Sequence, residues 1–143
     1  MTWYEDLSPC NYFPSGLAPL AVGWLDDHHP YPHGRIDPET ARILFELLDN
    51  PWQPPFESGG IHHCELCYLS GGPFLIRRRD GGGEAQVGRR NLFVPGAGVI
   101  YVAPSTIIHY IDAHGYLPPA EFIAALHACP PMRSPAYLKA LLD

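Results

Sequence analysis

Several features that would assign a protein class are scarce or missing in this 143-residue sequence. It contains no run of about 18 apolar residues, so no transmembrane helix is expected. Residues Met1 to Asp6 carry neither a basic segment nor an apolar segment, which argues against a secretory signal and predicts a cytoplasmic protein. Only 17% of the residues are charged and the net charge is −6, so duplex nucleic acid is an unfavourable partner.

Catalytic and nucleotide-binding signatures are also missing. The His-Glu-x-x-His motif of zincin proteases is absent, and the glycines after Asp80 precede no Gly-Lys-Ser/Thr, so no phosphate-binding loop is predicted. His63-Cys64-Glu65 spells His-x-Glu, but it overlaps the Cys-x-x-Cys that a zinc deaminase places on a separate helix. The sequence has no repeat at a period of 20 to 50 residues, which excludes a solenoid.

The composition that remains describes a small globular domain. Hydrophobic residues make up 46% of the chain, enough for an ordinary core, while 17 prolines and 14 glycines imply short elements joined by many turns. We therefore predict one α+β domain spanning residues 1–143, with a small antiparallel sheet, a zinc knuckle and three to four short helices. Its four cysteines are expected to be thiols or metal ligands, because a reducing compartment disfavours disulfides.

Turn and capping signals divide the chain into elements. The clearest helix begins at Asp37-Pro38-Glu39, where the Asp is a suitable cap, and ends at Asn50-Pro51. Its buried stripe is predicted to be Ala41, Leu44, Phe45 and Leu48. The other predicted elements are an irregular N-terminal arm (1–16), strands at 20–25 and 74–76, a hairpin of 91–95 with 99–103, and helices at 104–115, 118–128 and from 134 onward.

Two polar loops interrupt these elements. Asp26 to Gly34 contains His28, His29 and His33 beside two aspartates; a solvated loop and a second metal site are both open interpretations. Residues Arg77 to Arg90 hold five of the nine basic residues around three glycines, which predicts a flexible Arg/Gly loop between two strands. An anion contact is the functional alternative for that loop.

The ligands of one metal ion can be assembled from two stretches. Cys64 and Cys67 form a Cys-x-x-Cys, and His109 and His114 form a His-x-x-x-x-His. Two thiolates and two imidazoles are a complete tetrahedral set for Zn²⁺. Five-residue spacing rotates the two His by about 140° on a helix, and Gly115 allows the helix to end there so that the rings can converge.

Three other interpretations of these residues stay open. The thiols and imidazoles can be buried core residues without a metal, the Cys pair can be a redox pair, or His62 or His63 can replace one His ligand. A gap of 41 residues separates Cys67 from His109, far longer than in a zinc finger, so the site belongs to a larger domain.

Several motifs lie along most of the chain: Trp3–Leu7, Cys10, Gly60–Cys67, Asn91–Gly96, Val102–Pro104, His109–Ile111, His114–Tyr116, Pro118-Pro119 and Cys129–Met132. Together they resemble the motifs of a family of small uncharacterised bacterial proteins. That family is zinc-finger-like and has no established activity, so the resemblance implies no reaction.

The function predicted from these features is a zinc-binding protein with a structural metal site, made from Cys64, Cys67, His109 and His114, that interacts with another protein. Aromatic residues of the arms, such as Trp3, Tyr12, Phe13 and Trp52, would supply the contact surface. The main alternative is a zinc-dependent hydrolase with an open metal position and a base such as Glu65, His62 or His63. A third is single-stranded nucleic-acid binding through the Arg loop. The sequence predicts no membrane partner and no catalytic residue, and it does not indicate the oligomeric state.

Overall fold

The computed structural model describes residues 3–10, 17–54, 63–67, 72–73, 75–77 and 84–142. Tyr12, Phe13, His62, Phe74 and the 78–83 part of the Arg/Gly loop lie outside them. Nine elements follow in chain order within this part of the chain: β1 (Leu20–Ala21), α1 (Pro38–Leu48), β2 (Leu75–Arg77), β3 (Glu84–Gln86), β4 (Asn91–Pro95), β5 (Ile100–Pro104), α2 (Ile107–His114), α3 (Ala120–Ala128) and α4 (Pro135–Leu142). The predicted α+β class with small sheets and up to four short helices is confirmed.

The main sheet has the strand order β1-β5-β4. The β4–β5 pair is the predicted antiparallel hairpin, with Val94 opposite Tyr101. The sheet is not antiparallel throughout: β1 lies parallel to β5, with Leu20 opposite Tyr101. Strands β2 and β3 form a separate antiparallel pair.

Alternation along the central strands divides the core into two layers. Leu92 and Val94 of β4 point into a layer that α1, α2 and α3 cover, and Cys64 is buried in that same layer. Phe93, between them, points to the opposite side against Tyr137 of α4. This follows from the two-residue period of a strand, and it places the Cys-x-x-Cys beside α2.

Both outer edges of the main sheet are covered. The Gln53 side-chain amide donates to the Asn91 carbonyl (2.7 Å) and accepts from the Asn91 N–H (3.3 Å). These are the two hydrogen bonds that a neighbouring strand would make with this residue of β4. On the β1 side, the N-terminal arm supplies backbone hydrogen bonds, among them Leu7 N–H to the Ala21 carbonyl at 2.7 Å. These contacts leave fewer backbone groups at the sheet edges free to pair with a further strand.

Helix α1 begins as predicted and buries a shifted stripe. Asp37 accepts a hydrogen bond from the Thr40 N–H at 2.7 Å, and Pro38 occupies the first turn. Leu44 and Leu48 are buried as expected, but Thr40 and Leu47 are buried where Ala41 and Phe45 were predicted. The shift arises from α3, whose His127 Nε2 lies 2.7 Å from the Thr40 hydroxyl.

Several predicted boundaries differ from the structure. The helix expected from Pro104 begins at Ile107, because Pro104 is the last residue of β5. The strand expected over Leu20–Leu25 ends after Ala21, because Gly23 has a φ of +77° and turns the chain. The loop expected over Arg77–Arg90 is shorter at both ends: Arg77 belongs to β2 and Glu84–Gln86 to β3. Ala85 and Val87 are buried, so packing fixes this part of the segment.

Candidate metal centre

The two cysteines of the centre lie on one tight turn. The Cys67 N–H donates to the Cys64 carbonyl at 3.3 Å, which brings both side chains to the same side. Cys64 is 1% exposed, whereas Cys67 is half-buried. Gly72 packs directly on this turn, and a Cβ at that position would lie 2.7 Å from the Cys64 Cβ. All four cysteines of the chain are free thiols.

The two histidines come from α2. His109 is buried in its first turn, and His114 is its last residue. Gly115 follows with a φ of +65°, the left-handed conformation predicted to end the helix. The ring of His114 therefore lies at a helix end and reaches its partner, with a centroid separation of 4.9 Å from the His109 ring.

The four ligand atoms converge on one point. The Nε2 atoms of His109 and His114 are 3.3 Å apart. The Cys67 sulfur lies 3.3 Å from His109 Nε2 and 3.5 Å from His114 Nε2, and the Cys64 sulfur lies 3.4 Å from His114 Nε2. All four atoms are within 4.8 Å of one another.

These separations fit a tetrahedral metal ion. With Zn–N bonds of about 2.0–2.1 Å and Zn–S bonds of about 2.3 Å, tetrahedral angles give N···N distances of about 3.3 Å and N···S distances of about 3.6 Å. The observed 3.3 Å between the imidazoles matches, and the sulfur–nitrogen distances of 3.3 to 3.5 Å fall slightly short. The group is thus positioned for metal binding without rearrangement of the backbone.

Burial sets the protonation of the metal-free group. It raises the pKa of the Cys64 thiol to about 11 and lowers the pKa of both imidazoles, with the proximity of His114 further lowering the pKa of His109. The imidazoles are therefore neutral near pH 7, with lone pairs available to a metal. Cys64 must release its proton when a cation binds, as thiolate ligands do.

The other candidate ligands lie outside this group. Within the described residues, the four side chains above form the only cluster of three or more potential ligands. His63 is exposed and does not belong to the cluster, and His62 is outside the described part of the chain.

The three histidines of the polar loop have separate partners and do not converge. His28 faces Asp27 at 3.3 Å, and the His29 ring stacks on Trp3 at 3.8 Å. His33 stacks on Tyr31 at 4.4 Å. The solvated-loop interpretation of this segment is therefore the one that the structure favours over a second metal site.

Three carboxylates act electrostatically on residues of α2. Burial, and after it the charges of Cys64, Glu65 and Asp26, raise the pKa of the fully buried Tyr110, which follows His109 in sequence. Asp112, three residues after His109, acts electrostatically on that imidazole. The segments 3–34, 63–67 and 91–132 contain no Lys or Arg, and the basic side chains recorded beside Asp26 and Asp27 are those of His29 and His28.

Two cavities lie away from the cluster. A groove of about 800 Å³ runs between the β4–β5 turn and α4, lined by residues such as Val99 and Leu141. A smaller cavity of about 310 Å³ lies beside the end of α1, next to Asn50 and Arg90. None of the four ligand side chains lines either cavity.

Sequence reasoning did not identify the residues that support the ligands. The Tyr31 hydroxyl donates to the His114 carbonyl at 3.0 Å across 83 residues, and Gly72 packs on Cys64. No local pattern around Tyr31 or Gly72 points to these contacts, since both depend on the assembled fold.

Comparison with known proteins places the chain in a family. Residues 2–127 match the family described as Domain of unknown function (DUF7919), and the chain belongs to it. This agrees with the resemblance to an uncharacterised family; the motif pattern and the bacterial origin stay predictions. No curated protein and no solved structure matches the chain. Within the described residues, no helix is long and apolar enough to cross a membrane.

Proposed function

We propose that this member of the DUF7919 family binds one Zn²⁺ through Cys64, Cys67, His109 and His114, and that the metal is structural. The observation that carries the proposal is the convergence of two sulfur and two nitrogen atoms within 4.8 Å of one another, with four of the separations at 3.3 to 3.5 Å. Two thiolates with two imidazoles in a tetrahedral arrangement are the preferred ligands of zinc among the common biological metals.

A structural role follows from the number and origin of the ligands. Four protein ligands fill a tetrahedral shell and leave no position for substrate or water. The cysteines come from the 63–67 turn and the histidines from α2, so the metal joins two segments that are more than 40 residues apart in the chain. The hydrolase alternative needs one of these four to be displaced, and neither of the cavities described above reaches them.

The partner of the domain is proposed to be another protein with a basic contact surface. Glu65 lies between the two cysteine ligands in sequence, Asp112 acts electrostatically on His109 and Asp26 on Tyr110, and the surrounding segments supply no Lys or Arg. The aromatic residues that the sequence suggested as the contact surface are less suited to bind a partner protein. Trp3 and Trp52 are half-buried against His29 and Phe93, respectively, while Tyr12 and Phe13 are outside the described residues.

Metal content and cobalt substitution test the zinc proposal. Protein produced with adequate zinc should retain one equivalent after dialysis, and Co²⁺ in its place should give the intense visible bands of tetrahedral thiolate coordination. His109→Ala should abolish that spectrum, whereas His63→Ala, next to Cys64 but outside the cluster, should leave it unchanged. A folded protein with much less than one equivalent, or equal spectra for both variants, would contradict the proposal.

Charge reversal tests the partner proposal. A lysine-rich peptide should bind the protein at low ionic strength and dissociate at high salt, while a glutamate-rich peptide of equal length should not bind. Asp112→Lys should weaken this preference without altering metal content, because Asp112 is not a ligand. Equal binding of both peptides would refute a basic partner.

A further inference from the structure

The end of α2 is held by a neighbouring loop. The Tyr31 hydroxyl donates to the His114 carbonyl at 3.0 Å, and the Gly34 N–H donates to the Gly115 carbonyl at 2.9 Å. Carbonyls in the last turn of a helix have no partner within the helix. Here the loop supplies two donors at the position where the second histidine ligand leaves the helix.

The N-terminal arm holds the same segment from the other side. Tyr116, two residues after His114, is fully buried, and its hydroxyl donates to both carboxylate oxygens of Asp6 at 2.8 and 2.9 Å. The Gly23 N–H donates to the same carboxylate at 2.9 Å. Asp6 thus joins the arm, the chain after β1 and the segment after α2 in one cluster of hydrogen bonds.

The position of His114 depends on this support. It lies five positions after His109, so on a continuing helix the two rings would point about 140° apart. In the structure His114 is the last helical residue, Gly115 follows in the left-handed conformation, and the two Nε2 atoms lie 3.3 Å apart. Helix ends open more readily than helix centres, so contacts that fix residues 114–116 also fix the direction of the His114 ring.

From these contacts we infer that Asp6 and Tyr31 are positioning residues for the metal ligand His114, and that docking of the N-terminal arm and retention of the metal are coupled. This inference rests on the proposed metal function. By linkage, the metal stabilises the docked arm by the same factor with which the arm tightens metal binding. A partner that captured the arm would therefore weaken binding of the metal.

The test compares metal dissociation in matched variants. Tyr31→Phe removes one hydroxyl and keeps the ring contacts to His33 and Tyr116. Its control is Tyr137→Phe, which removes an equivalent hydroxyl that donates to the Phe93 carbonyl at 2.6 Å in the layer away from the metal. Any effect shared by both variants reports general stability, whereas an effect on the metal in Tyr31→Phe alone reports positioning.

A second pair of variants tests the arm. Asp6→Ala removes the acceptor, while Asp6→Asn retains a carbonyl oxygen that can accept from the Gly23 N–H and the Tyr116 hydroxyl. With zinc transfer to a chromogenic chelator as the measurement, Tyr31→Phe and Asp6→Ala should each release metal on the order of tenfold faster than wild type. Asp6→Asn and Tyr137→Phe should release it at the wild-type rate. The cobalt bands should broaden in the two fast variants.

Two results would overturn the inference. One is an unchanged release rate in Tyr31→Phe; the other is equal acceleration in Tyr31→Phe and Tyr137→Phe. If Asp6→Ala does not fold, the two tyrosine variants still decide the question. Failure of the wild-type protein to bind cobalt would instead refute the proposed metal function itself, so the two failures are distinguishable.

Discussion

Removing one metal ligand should destabilise the domain far more than removing a buried thiol that binds no metal. The compared variants are Cys64→Ser and His109→Ala on one side, and Cys10→Ser and Cys129→Ser on the other. Cys64 and Cys10 are 1% and 4% exposed, so the two cysteines differ little in burial and chiefly in their surroundings. The comparison therefore isolates the contribution of the metal.

The expected difference is large because the two contributions differ in scale. A structural zinc supplies on the order of 10 kcal/mol of apparent binding free energy, which is comparable to the whole unfolding free energy of an ordinary domain. A buried thiol contributes about 1 kcal/mol as a small hydrophobic group. Cys64→Ser and His109→Ala should thus lose most of their stability, whereas Cys10→Ser and Cys129→Ser should melt only about 3–5 °C below wild type.

The assay is thermal unfolding at fixed free zinc, repeated with a chelator. In zinc, the two pairs of variants should separate clearly. With the chelator, wild type should fall to the level of the ligand variants, and Cys64→Ser should then differ from wild type by no more than Cys10→Ser does. Comparable melting temperatures for all four variants in zinc would refute the assignment of the ligands.

Three further predictions follow from the structure. Gly72→Ala should lower metal affinity because its Cβ would lie 2.7 Å from the Cys64 Cβ, while Gly98→Ala, with a similar positive φ but nothing within 4 Å, should leave zinc titrations unchanged. Burial raises the pKa of Asp6 in the folded protein despite its hydrogen bonds. Protonation of Asp6 therefore favours folding: this contribution to stability is complete below pH 3.8 and is lost as the pH rises through the pKa of the folded state. Denaturation at pH 7 should accordingly find Asp6→Asn at least as stable as wild type, with the difference vanishing at low pH; a less stable variant at pH 7 would contradict this. Burial raises the pKa of Cys64 to about 11, so zinc must displace the proton of this thiol when it binds. This thiol alone should make the zinc affinity rise about tenfold per pH unit between pH 7 and 9. An affinity that does not change with pH in competition titrations would argue against thiolate ligation.

Local signals in the sequence were enough to predict helix α1, the helix α2 that holds both histidine ligands, and the β4–β5 hairpin. Asp37-Pro38 determines where α1 begins, and Gly115 determines where α2 ends, each through backbone preferences of a single residue type. The cluster was predictable for a related reason. Cys-x-x-Cys and a spaced pair of His restrict the possible ligand geometry even when the intervening fold is unknown.

Features that depend on distant contacts were not predictable. Glycines and arginines dominate the segment from Arg77 to Arg90, which suggested a loop. Yet Ala85 and Val87 are buried, and β3 forms because it pairs with β2 and packs on α1. The Asp6–Tyr116 contact spans 110 residues, and neither residue has a neighbour in sequence that indicates the other.

X-ray absorption at the zinc edge, on protein purified without added metal, tests the central claim most directly because it reports metal identity and ligands together. The proposed centre predicts a fully loaded zinc site with two sulfur ligands at about 2.3 Å and two nitrogen ligands at about 2.0 Å, and with no oxygen ligand. Three protein ligands with one oxygen from water in the shell would contradict a structural centre made of Cys64, Cys67, His109 and His114, and would favour a zinc hydrolase instead.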